Sequence, residues 1–109
     1  MKFDQNYLIN HLKSFDSVEL SYPFGDEVYV FSYQTKMFAL IEKDKMPIRL
    51  SLKCDPKLST ILRERYEEVL PGVNLNQKNW NTILITGQLS EKEIEDLIRH
   101  SYELVKSET

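Results

Sequence analysis

Residues 48–58 read IRLSLKCDPKL, and their pattern changes period part-way along. Up to Lys53 the alternation is clean: Ile48, Leu50 and Leu52 fall on one side, Arg49, Ser51 and Lys53 on the other. Period-2 alternation describes a strand with one face buried and one face wet. The alternation stops at Asp55, a favourable helix N-cap, and Pro56 suits the first helical position, where its missing N–H leaves no bond unmade. Leu58, Ile61, Leu62, Tyr66 and Val69 then recur at helical spacing, and Pro71-Gly72 is expected to end that helix. The segment therefore reads as a strand feeding directly into a helix, with Cys54 at the joint.

Upstream, EVYVFSY (27–33) is rich in β-branched and aromatic residues, and Gln34-Thr35 can turn it tightly into KMFALIE (36–42), although the usual Asn-Gly signal is missing. Before these, VELSYPFG (18–25) reads as a strand closing on the turn Pro23-Phe24-Gly25-Asp26. A first helix is expected over about 4–14, with Asp4 as N-cap and Leu8, His11, Leu12 and Phe15 along one stripe. Downstream, NTILITG (81–87) is a last strand. Ser90-Glu91-Lys92-Glu93 is a capping box, launching a helix whose inward residues are Ile94, Leu97, Ile98, Ser101, Tyr102 and Val105. The order α-β-β-β-β-α-β-α predicts an α+β, two-layer fold: an antiparallel sheet of about five strands with helices packed on one face.

The composition fits one such domain over residues 1–109, a chain long enough to bury about two-thirds of its unfolded surface. A single cysteine forms no internal disulfide, so the fold needs no oxidising compartment. No apolar run approaches about 18 residues and the start MKFDQNYL has no signal-type apolar core, so a cytoplasmic, non-membrane location is expected. The net charge of −3 makes no electrostatic case for nucleic acid by itself. Its distribution says more. Residues 36–57 carry Lys36, Lys43, Lys45, Arg49, Lys53 and Lys57 against Glu42, Asp44 and Asp55, and the two ends of the chain are acidic.

Catalytic material is thin. His11 and His100 lie far apart on expected helices, and no HExxH, CxxC, P-loop or GxSxG pattern occurs. Neither a metal site nor a cofactor is expected. Cys54 sits beside Lys53 near a helix N-terminus, an arrangement that lowers a thiol pKa, yet alternation turns it inward with Leu50 and Leu52. A packing role is expected for Cys54, and no enzymatic activity for the chain. The outward positions are the better functional candidates. Arg49 and Lys53 share a sheet face with one alternate set of EVYVFSY, either Tyr29/Phe31/Tyr33 or Val28/Val30, and with Trp80, Thr82 and Leu84. Aromatics mixed with cations on a sheet stack bases and neutralise phosphates.

Several stretches, in order over about residues 18–105, resemble the MmcQ/YjbR family of small bacterial proteins: YPFGDEVYVF, KMFAL, LSLKCDP, LRERYEEVLPG, WNT, Gly87 and LIRHSYELV. The resemblance implies an α+β fold with an antiparallel sheet, like secretion-chaperone or frataxin domains, and a DNA-binding role without known catalysis. The chain departs from the family where LNK-x-HWN is common: residues 75–81 read LNQKNWN, so Gln77 and Asn79 replace a cation and a histidine. The expected nucleic-acid contacts are Lys36, Arg49, Lys53, Lys57 and Lys78, with Trp80 or Tyr29 stacking. DNA binding of this kind would be weak and salt-sensitive. The alternative partner is a protein or a second copy of the chain, docked on the open sheet face.

Overall fold

The structure is a computed structural model and describes residues 3–72 and 75–109. Helix α1 (Gln5–Lys13) starts where Asp4 accepts the Tyr7 N–H, and four strands follow: β1 (Val18–Ser21), β2 (Val28–Tyr33), β3 (Lys36–Glu42) and β4 (Ile48–Lys53). Helix α2 (Pro56–Arg65) begins at the N-cap Asp55, whose carboxylate accepts the Lys57 and Leu58 N–H groups. A short strand β5 (Val69–Pro71), strand β6 (Trp80–Ile85) and helix α3 (Glu91–Ser107) complete the described elements. The strands pair antiparallel in the order β1-β2-β3-β4-β6-β5, and α1, α2 and α3 all pack on one face.

The two-layer α+β reading holds, with one strand more than the expected five. Helical spacing runs on to Val69, but the helix stops at Arg65 because Tyr66 turns to an extended conformation. Val69 pairs with Ile83, and Pro71 ends a short edge strand, where its missing N–H opens outward. Gly72 then donates its N–H to the Trp80 carbonyl at 3.0 Å, and a Cβ there would stand 2.8 Å from Trp80 Cβ and 3.2 Å from its carbonyl oxygen. The Pro71-Gly72 pair therefore lets two backbones touch; it does not cap a helix.

Ile61, one of the helically spaced apolar residues, is 54% exposed. The inward face of α2 turns about Ser59, whose hydroxyl donates to Asn81 Oδ1 at 2.8 Å while Asn81 Nδ2 donates to the Ser59 carbonyl at 3.3 Å. This buried polar clasp fixes α2 against β6.

The β2–β3 turn uses Gln34 and Thr35 with φ of 47° and 70°, the left-handed pair a two-residue hairpin requires, adopted here without asparagine or glycine. One turn on, the register slips: Phe31 faces Ala39 but Ser32 faces Met37. The extra residue in that bulge is Phe38, which joins Ala39 in the core between sheet and helices. Tyr102 of α3 is the hub of this core. Its ring meets Phe15, Tyr33 and Phe38 edge-on at 4.9, 5.6 and 5.7 Å, and its hydroxyl donates to the Asp16 carbonyl at 2.7 Å.

Candidate binding face of the sheet

Among the described residues no helix packs on the second face of the sheet. Alternation decides which side chains reach it. Ile48, Leu50 and Leu52 are buried under the helices, which turns Arg49, Ser51 and Lys53 to the open side. In β2 the two open possibilities resolve: Tyr29, Phe31 and Tyr33 pack with the helix-side core, and Val28 and Val30 take the open face. Tyr29 rests against Tyr22 with ring centroids 5.7 Å apart. Trp80 is on the open face but only 7% exposed, clustered with Val30 and Leu40 and flanked by Met37 and Leu75. Its indole forms the floor of a patch and offers no free stacking surface.

The open face holds a hollow of about 310 Å³ lined by Phe24, Val28, Leu40, Glu42, Ser51, Leu75 and Thr82. Its floor includes a hydroxyl pair, Ser51 Oγ and Thr82 Oγ1, 2.8 Å apart on facing positions of β4 and β6. At its rim Phe24 is 57% exposed, supported by a turn in which Gly25 takes φ of 102°. Alternation of IRLSLK placed Ser51 outward, and Thr82 fell in the outward set of the last strand. Leu40 and Phe24 were missed, because KMFALIE is apolar on both faces and the turn carried only a turn signal.

The cations divide. Arg49 Nε lies 2.8 Å from Glu42 Oε2 across the face. Lys36 and Lys53, at one end of the sheet, both reach the Glu108 carboxylate beyond α3, at 3.8 and 3.1 Å from Oε1. Lys57 and Lys78 are exposed at that same end, and among the described residues neither forms an ion pair. The structure thus gathers Lys36, Lys53, Lys57 and Lys78 at an end of the sheet, with Arg49 apart on its face. Ion pairing across 55 and 72 positions leaves no mark in local pattern, so the neutralising Glu108 was not anticipated.

Cys54 is 4% exposed. Burial foremost, then the Asp55 carboxylate, pushes its thiol from the usual 9.0 up to about 11, against a smaller downward pull from Arg63. His100 is also occupied, its Nε2 accepting the Asp55 N–H at 3.1 Å. A thiol raised this way stays protonated through neutral pH; any stability it lends is present below about pH 9 and is lost as pH climbs through about 11. Labelling with an aromatic disulfide is expected to be slow at pH 7–8, with no inflection below about 9. Fast labelling with an inflection near neutrality would make Cys54 a reactive thiolate. Among the described residues no group of three histidine, cysteine or carboxylate side chains is arranged to hold a metal, and no helix is long and apolar enough to cross a membrane.

A family model described as YjbR matches residues 13–104, a span that contains the whole hollow and all four lysines. The chain belongs to the YjbR family. YbdF of Escherichia coli O157:H7 is 35% identical over 88 residues, covering 81% of this chain and 72% of its own length. YjbR of Escherichia coli K12 is 31% identical over 67 residues, and the match spans 62% of this chain and 57% of YjbR. The YjbR fold extends to solved structures. The crystal structure of Deinococcus radiodurans protein DR2400, with its DUF419 domain, superposes with a TM-score of 0.84 at 34% identity over 92% of this chain and 76% of that one. A Pseudomonas syringae protein, structural genomics target PsR293, gives 0.79 at 25% identity over 94% and 98%.

Proposed function

We propose that this YjbR-family chain is a non-enzymatic binding module whose open sheet face docks an apolar side chain of a protein partner. The observation that carries the reading is the hollow itself: a concave, mostly apolar surface between Phe24, Val28, Leu40 and Leu75 on a face that no described helix covers. Pockets with apolar walls and a few fixed polar groups are the usual form of a recognition site, and here the Ser51–Thr82 hydroxyls and the Glu42–Arg49 pair supply the polar groups. A non-catalytic role is supported by what the reactive groups already do, since Cys54 is packed and His100 caps the turn into α2.

Selection of a randomised displayed-peptide library on the immobilised chain tests it. Enriched sequences are expected to share a large aliphatic or aromatic residue, and Val28→Asp is expected to abolish their binding while circular dichroism stays unchanged. Enrichment that survives Val28→Asp would refute the site.

The second reading, DNA binding, is favoured by one observation: the exposed Lys57 and Lys78 share an end of the sheet with Lys36 and Lys53. Two to four phosphate contacts predict micromolar or weaker affinity that falls about tenfold to a hundredfold between roughly 50 and 200 mM salt. Fluorescence anisotropy with a labelled duplex measures this. Tight binding destroyed by joint Lys57→Glu and Lys78→Glu would put DNA ahead of a protein partner.

A further inference from the structure

We infer that the end of the sheet beside the hollow carries a second subsite, a carboxylate cradle formed by Lys53 from the open face and Lys36 from the helix side of β3, and that the chain's own Glu108 fills it as an internal stand-in for an acidic residue of the ligand. The inference rests on the hollow being a docking site and adds the chemistry of the ligand. Lys53 is the key residue. Its side chain is only 19% exposed, so the ammonium is held close to the sheet, and both Glu108 oxygens accept from it, at 3.1 and 3.3 Å. Lys36 approaches the same carboxylate at 3.8 Å and also donates to the Glu108 backbone carbonyl at 3.3 Å. Two cations thus converge on one carboxylate.

Lys53, the open-face half of the cradle, is in register with the hollow. Ser51 and Thr82, on the floor of the hollow, are facing residues of β4 and β6; Lys53 and Trp80 face each other two residues further along the same ladder. Strand geometry sets that separation at about 7 Å. An extended peptide repeats its side-chain direction at the same interval, so a ligand with an apolar residue in the hollow presents its second residue onward to Lys53. That residue is aspartate or glutamate. Duplex DNA meets these features less well, because the surface between the subsites is apolar and Arg49 is already paired with Glu42.

Glu108 is displaceable. Its side chain is 42% exposed, and lysine–carboxylate pairs at such sites are weak and easily exchanged. It also lies outside residues 13–104, the span matched by the family model, whereas Lys36 and Lys53 lie within it. Occupied by Glu108, the cradle holds affinity for acidic peptides down; vacated, it raises it.

The test is an NMR titration of the full chain with two capped tripeptides, Phe-Ala-Glu and Phe-Ala-Gln, repeated on Glu108→Gln and Lys53→Met. Both peptides are expected to move the amides of Leu40, Ser51 and Thr82, and only Phe-Ala-Glu to move Lys53 as well. Glu108→Gln is expected to tighten Phe-Ala-Glu about threefold to fivefold with no gain for Phe-Ala-Gln, and Lys53→Met to erase the difference between peptides. Equal binding of the two peptides, or no response to Glu108→Gln, overturns the cradle and leaves the hollow standing. Failure of both peptides to move the hollow amides overturns the docking reading with it. A short thymidine oligonucleotide that shifts Lys36 and Lys53 more than Phe-Ala-Glu does would assign the cradle to phosphate and overturn the peptide ligand.

Discussion

Tyr102→Ala is expected to lower the unfolding free energy by about 3–5 kcal/mol, the range for truncating a large buried aromatic. The estimate sits at the upper part of mutational effects because three separate elements lose their partner together. Phe15 follows α1, Tyr33 ends β2 and Phe38 lies in the β3 bulge, and each packs its ring edge-on against Tyr102. Removing the hub leaves a cavity that rings on sheet and helix are too stiff to close. For a chain of this size the melting temperature should fall by about 15–25 °C. Tyr102→Phe separates the ring from the hydroxyl. It keeps every aromatic contact and loses only the bond to the Asp16 carbonyl, so a loss of about 1 kcal/mol is expected. Urea unfolding of the two variants measures both numbers, and a Tyr102→Ala loss below about 2 kcal/mol would mean the core relaxes around the gap.

Asn81→Ala should cost about 2–3 kcal/mol. Asn81 is 2% exposed and Ser59 fully buried, so deleting the amide strands the Ser59 hydroxyl away from water and removes a second donor from its helix-bonded carbonyl. A buried polar group left without its partner contributes about 1–3 kcal/mol of destabilisation, more than the bond itself was worth. The diagnostic is a double-mutant cycle. Removing both partners, with Ser59→Ala and Asn81→Ala together, should cost less than the sum of the two single losses, since nothing is then left unpaired. Additive losses would show that the two residues act separately and that α2 is held to β6 by other contacts.

Much of the fold was legible because it is written at short range. The alternation of residues 48–53, the Asp55-Pro56 start of α2 and the Ser90–Glu93 capping box each act within a few residues and appear where expected. The strand β5 was not legible. Val69 follows Leu62 and Tyr66 at helical spacing, and only its pairing with Ile83 across the sheet breaks that pattern. The orientation of β2 was open for a related reason, since either face of VYVFSY is apolar enough to be buried. Family membership was readable from short stretches spread along the chain, and residues 13–104 match as a unit.

The site was legible in part. The outward placement of Arg49, Ser51 and Lys53 followed from alternation, but the character of the face did not. The basic strip read from residues 36–57 is divided in space, one cation answered by Glu42 and two by a residue more than fifty positions away. What remains on the face is an apolar hollow lined from a turn, four strands and a loop.

The packing of Cys54 supplies a clock as well as a wall. A thiol 4% exposed reacts only when the joint between β4 and α2 opens, so its labelling rate at low reagent counts the fraction of molecules open at any instant. The joint is bound on three sides: the Cys54 N–H donates to Asn79, the Asp55 N–H donates to His100, and Ser101 donates to the Lys53 carbonyl. Its opening breaks contacts to the β6 approach and to α3 together. The lone sulfur therefore turns native-state fluctuation into a chemical signal, readable without denaturant and without adding a label elsewhere in the chain.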